Sequence, residues 1–90
     1  MKKKLVVPEK PTVVIYSTPS CSHCKDAKKW FVVEGIDFTE YDVTSDKVHR
    51  EEMIEKTGLK VVPVICVGEK CFVGWGAIAK DIKRLLGMPL

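Results

Sequence analysis

Two cysteines, Cys21 and Cys24, occur as Cys21-Ser22-His23-Cys24 directly after Val13-Val14-Ile15-Tyr16-Ser17-Thr18-Pro19-Ser20, where a β-branched apolar run meets the start of an amphipathic pattern. Two thiols at this spacing, where a strand gives way to a helix, can carry thiol–disulfide chemistry. Cys21 falls at the helix N-terminus, where unpaired backbone N–H groups and the positive end of the helix dipole favour a thiolate over a thiol. Cys24 is one turn further in, near enough to close a tight disulfide. In such a dithiol the Cys21 thiolate attacks a substrate disulfide, and Cys24 resolves the mixed disulfide by attacking Cys21.

His23, inside the motif, is a candidate tuning residue. A protonated imidazole there would further favour the Cys21 thiolate and make the protein more oxidising. The alternative is an exposed histidine at a helix start with no electronic role. His49 is expected to be plain surface. Lys10 and Lys25 flank the motif in sequence and could steer anionic partners, although solvated surface is the default for lysine on a small domain. Trp75 is expected to cover the site as an apolar contact for substrate or reductase, with core filling as the competing role. Trp30 is expected in the core.

The elements that must position these residues follow from hydropathy period and turn chemistry. Residues 12–17 predict a buried strand, and 21–33 a helix with Ser20 as N-cap and Gly35 as its stop. Cys24, Ala27, Trp30 and Phe31 form one apolar stripe. At ~100° per residue Cys21 lies about 60° from Cys24, so one sulfur can be reachable while the other is covered. Residues 36–42 alternate as a second strand. Residues 47–57 read as a charged helix with a thin apolar contribution from Val48, Met53 and Ile54, ended by Gly58. A third strand spans 61–67, with Pro63 early in it, and a fourth spans 70–73. Ile78, Ile82, Leu85 and Leu86 have the spacing of a final amphipathic helix.

Gly68-Glu69 makes a two-residue hairpin loop, which pairs Val67 with Lys70 and sets Cys66 opposite Cys71. That pair is of the non-hydrogen-bonded kind, with Cα atoms roughly 4.5 Å apart. This is the short end of disulfide geometry, so a bond there would be strained and readily reduced. Cys66 and Cys71 are thus a candidate second redox pair; the alternative is two small buried hydrophobes. They could also complete a zinc site with Cys21 and Cys24. On the expected fold, however, Cys66 lies three residues down the strand from Pro63, out of tetrahedral reach, and no metal is expected.

Ninety residues and 46% hydrophobic content suit one small domain over 1–90. Residues 1–10 are expected to be partly frayed. The net charge of +3 is mild and the basic residues are mixed with 12 acidic ones. Lys2-Lys3-Lys4 is read as a solvated terminus, and aromatics do not alternate with basic residues, so no nucleic-acid partner is expected. Leu5-Val6-Val7 is too short for a signal peptide and no apolar run reaches membrane-spanning length. A cytoplasmic monomer with no membrane partner is expected, and in that setting C-x-x-C points to redox chemistry rather than a disulfide framework.

The order β-α-β-α-β-β-α, with C-x-x-C after the first strand and an early proline in the third, resembles the glutaredoxin branch of the thioredoxin superfamily. Val14-Ile15-Tyr16-Ser17 leading to Cys21-Ser22-His23-Cys24-Lys25, then Val61-Val62-Pro63-Val64, then Val73-Gly74-Trp75 carry the resemblance. It implies an α/β thioredoxin-like (glutaredoxin) fold, a four-stranded mixed sheet with three helices on both faces. It also implies a cis Val62–Pro63 bond facing the cysteines, and substrate contacts from Val62, Pro63, Gly74 and Trp75. The backbone of Val62 could there pair with an extended substrate. Two departures from the family pattern stand out: Ser22 and His23 replace the usual Pro-Tyr, and Gly76-Ala77-Ile78 lacks the acidic residues that hold glutathione. Gly74 followed by an aromatic is similar to redoxins that take electrons from thioredoxin reductase. The function implied is a dithiol thiol–disulfide oxidoreductase acting on protein or glutathione-mixed disulfides. No bound cofactor is implied, and glutathione or thioredoxin reductase would be the electron source. The alternative is a glutathione-assisted iron–sulfur cluster carrier, which visible absorption after anaerobic reconstitution would reveal.

Overall fold

The structure is a computed structural model that describes residues 11–88. The expectations for 1–10, among them the lysine run and Lys10, lie outside the described residues. The elements follow in the order β1 (Val13–Ser17), α1 (Ser22–Val33), β2 (Thr39–Asp42), α2 (Lys47–Thr57), β3 (Val64–Val67), β4 (Lys70–Val73) and α3 (Ala79–Leu85). One mixed sheet runs β2-β1-β3-β4, with β1 parallel to β2 and antiparallel to β3, and β3 antiparallel to β4.

The alternation of strand side chains divides the core between the two faces of the sheet. Val13, Ile15, Ile65 and Val67 point to one face and pack with Ala27 and Phe31 of α1 and Ile82 of α3. Tyr16, Val64 and Cys66 point to the other and pack with Val43, just after β2, and with Met53 of α2. The hairpin register is the expected one, Val67 opposite Lys70 and Cys66 opposite Cys71, turned at Gly68-Glu69. Gly68 has φ +61°, the left-handed region such a turn demands, and a Cβ there would come within 3.2 Å of Pro11.

Several boundaries differ from those read in the sequence. β2 begins at Thr39 rather than 36 because Ile36 belongs to the end of α1. Its N–H donates to Phe31 O (2.8 Å), that of Gly35 donates to Val32 O (3.2 Å), and Gly35 has φ +71°. This is a Schellman cap, closed by the contact of Ile36 with Phe31, and it consumes a donor a strand would need. β3 begins at Val64, after Pro63 rather than around it. In α2 only Met53 is fully buried, while Val48 is 72% exposed and contributes nothing to the core. Ile82 of α3 and Leu86, the residue that caps it, face the core, but Leu85 is exposed.

Candidate active site

The site is built where the C-terminal end of β1 meets the N-terminal end of β3. After Ser17 the chain turns, with the Cys21 N–H donating to Thr18 O (3.2 Å), and enters α1. Because this turn uses residues 18–21, the helix starts at Ser22 and its N-cap is Cys21, not Ser20. The Cys21 sulfur does what a capping oxygen would, accepting the Cys24 backbone N–H at 3.1 Å. Cys21 is half-buried and Cys24 is 0% exposed beneath it, on the stripe with Ala27 and Phe31. The two are joined as a disulfide with Cα atoms 5.2 Å apart, within the ordinary range.

The register of β1 on β3 sets Tyr16 opposite Val64, which brings Pro63 alongside the end of β1 from which the cysteine turn departs. The Val62–Pro63 peptide is cis, as the resemblance implied. Pro63 is buried and Val62 half-buried. The Gly74 N–H donates to Pro63 O (2.8 Å), so the chain leaving β4 is fastened to the chain entering β3. Trp75 follows, half-buried, with its ring 5.4 Å from that of Trp30 and 6.2 Å from that of Phe31. It therefore packs against the α1 face of the core while keeping part of its surface in solvent.

His23 is exposed on the first turn of α1, and Lys25 is exposed behind it. His49, expected to be plain surface, instead stacks on Tyr41 with ring centroids 3.5 Å apart, and its backbone N–H and ring Nδ1 both meet the carboxylate of Asp46, the N-cap of α2. Beside α1, Glu40 of β2 accepts from Lys28 Nζ (2.6 Å) and from the buried Ser17 hydroxyl (2.6 Å). These bonds, that of Lys28 foremost, hold its carboxyl below the usual carboxylate range. On the opposite face the buried Tyr16 hydroxyl donates to Glu52 (2.7 Å); burial and this acidic partner push its pKa well above the ordinary phenol. Neither cluster was foreseen, because each joins residues from separate elements. Cys66 and Cys71 are joined across the hairpin with Cα atoms 4.0 Å apart.

A sulfur capping its own helix, with a buried partner one turn on, upon a four-stranded sheet of this topology defines a thioredoxin-fold C-x-x-C redox protein. Comparison with known proteins narrows the class. The family model for glutaredoxin matches residues 13–72. The glutaredoxin-like 8.6 kDa protein of the rubredoxin operon of Clostridium pasteurianum is 38% identical over 69 residues, which are 77% of this chain and 92% of that one. The crystal structure of a glutaredoxin from Archaeoglobus fulgidus superposes with TM-score 0.71 at 26% identity, covering 83% of this chain and 85% of that one. The glutaredoxin-like NrdH-redoxin of Escherichia coli, described as having a thioredoxin-like activity profile, shares the fold. Its TM-score is 0.70 at 24% identity, covering 87% of this chain and 99% of that one. The chain belongs to the glutaredoxin family and is a thiol–disulfide oxidoreductase of that general kind.

Proposed function

We propose that Cys21 is the nucleophile and Cys24 the resolving thiol of a dithiol redoxin that reduces disulfides of partner proteins. The observation that carries this reading is the 3.1 Å hydrogen bond from the Cys24 N–H to the Cys21 sulfur at the mouth of α1. In the reduced protein the same donor, with the helix dipole, stabilises negative charge on Cys21. Burial of Cys24 keeps it from competing for substrate and reserves it for attack on the mixed disulfide. Two electrons pass to the substrate: its disulfide becomes two thiols as the Cys21–Cys24 bond forms. Val62, Pro63, Gly74 and Trp75 would line the substrate's approach, because the β1–β3 register and the Gly74–Pro63 hydrogen bond gather them at the same end of the sheet.

The reductant we favour is a reductase protein of the thioredoxin reductase type rather than glutathione. Gly74 leads into Trp75 and Gly76-Ala77-Ile78 with no acid, and Asp81, the first acid of α3, already pairs with Arg84 (3.3 Å). Residues 74–78 therefore offer a glutathione amine no carboxylate. The oxidised protein, offered glutathione with glutathione reductase and, separately, thioredoxin reductase, should consume NADPH faster with the latter. Faster turnover with glutathione overturns the choice of reductant. Cys24→Ser should accumulate a stable mixed disulfide at Cys21, visible by intact mass. Absence of an adduct on Cys21 overturns the assignment of roles.

A further inference from the structure

The second cysteine pair lies outside the site just described. Cys66 is 2% exposed and packs with Tyr16, Val43, Met53 and Val64 on the α2 face of the sheet. Its neighbour Cys71, on the edge strand β4, is half-buried and opens into a shallow depression of about 330 Å³ shared with Lys56, Gly68 and Glu69. The α1 stripe that carries Cys24 packs on the other face, against Ile15 and Ile65 through Ala27 and Phe31. Cys66 and the stripe that carries Cys24 thus belong to opposite faces of the sheet, which stands between the two sulfur pairs. Whatever oxidises or reduces Cys66 and Cys71 reaches them from solvent, on the Cys71 side.

We propose that Cys66 and Cys71 form a second, autonomous dithiol/disulfide site that exchanges with low-molecular-weight peptide or amino-acid disulfides. The half-buried Cys71 thiolate, its proton lost to solvent, attacks one sulfur of the small disulfide R–S–S–R; a Cys71–S–S–R bond forms and one thiolate RS⁻ leaves. Cys66, directly opposite with its Cα 4.0 Å away, then attacks the Cys71 sulfur and expels the second RS⁻, which takes up the proton that Cys66 gives up. Two protein thiols are oxidised by two electrons and the small disulfide is reduced to two thiols. The division of labour repeats that of Cys21 and Cys24: an accessible sulfur reacts, a buried one resolves. Lys56 and Glu69 line the depression with one positive and one negative charge, complementary to the carboxylate and amine of such a reactant. The bond ties β4, which delivers Gly74 and Trp75, to β3, which begins beside Pro63.

The test uses the full chain with Cys21→Ser and Cys24→Ser, fully reduced and then exposed to oxidised glutathione, so failure of the function proposed above leaves it intact. Two thiols per chain should disappear, with a monomer on a non-reducing gel and an intact mass lighter by two hydrogens. Retention of both thiols, a persistent glutathione adduct, or disulfide-linked dimers overturns the proposal. Adding Cys66→Ser should stop the reaction at a glutathione adduct on Cys71; absence of that adduct is equally fatal. Because substituted chains can misfold, the unsubstituted protein is oxidised in parallel and mapped by alkylation. The peptides bearing Cys66 and Cys71 should pass from alkylated to mutually linked, and alkylation that persists on both overturns the proposal as well.

Discussion

Trp75 offers the sharpest test of how the site is supported, because its ring touches the core while one side stays open. Replacing it by alanine deletes two aromatic contacts, with Trp30 at 5.4 Å and with Phe31 at 6.2 Å. Each such pair contributes about 0.5–1.5 kcal/mol beyond its buried area, so together they are worth about 2 kcal/mol. A domain of this size loses roughly 4–8 °C of Tm per kcal/mol, which puts Trp75→Ala roughly 8–16 °C below the parent. Trp75→Phe keeps an aromatic edge against Phe31 and should recover about half of that loss. Thermal unfolding followed by far-UV circular dichroism gives the stability readout, and reductase-coupled disulfide reduction below the melting range gives the functional one. If the ring also lines the substrate path, Trp75→Ala raises KM with little change in kcat. A Tm within a degree or two of the parent for Trp75→Ala would refute the packing argument, and an unchanged KM would reduce the residue to core filling.

Two further perturbations probe the electrostatics around α1. His23→Tyr should make the reduction potential more negative, because it removes the one side chain between the two cysteines able to carry positive charge beside the Cys21 thiolate; an unchanged potential leaves His23 as exposed surface with no electronic role. Glu40 has a depressed folded pKa, so its contribution to stability is present above the unfolded carboxylate range and is lost as pH falls through the folded value. Lys28→Met removes the largest cause of that depression and should flatten the acid limb of a stability–pH curve measured by urea unfolding; parallel curves for parent and variant would show that the pair carries no linkage.

Much of this architecture was legible in the residues themselves. The two-residue Gly68-Glu69 loop fixed the Cys66–Cys71 register, Gly58 ended α2 where expected, and the Cys21–Cys24 spacing separated a reachable sulfur from a covered one. What was missed depends on competition between neighbours. Ser20 is the stronger capping residue by type, yet the turn closed by the Cys21 N–H and Thr18 O commits residues 18–21, so the cap falls on a sulfur instead. Ile36 fits a strand by alternation, but its N–H is claimed by the Schellman cap of α1. The stacking of His49 on Tyr41 and the Ser17–Glu40–Lys28 cluster exist only once α2 meets β2 and α1 meets β1 and β2. No local pattern announces such contacts.

The antiparallel seam between β1 and β3 frees this chemistry from the length of the chain that connects the strands. Residues 17 and 63 become neighbours through lateral pairing, whatever detour the chain takes between them. The exposed stretch at Leu59-Lys60 could therefore lengthen, or be cut and re-joined elsewhere, without displacing either half of the reaction centre. Such tolerance makes that connection the natural place to graft a recognition loop or a second module onto the same redox machinery.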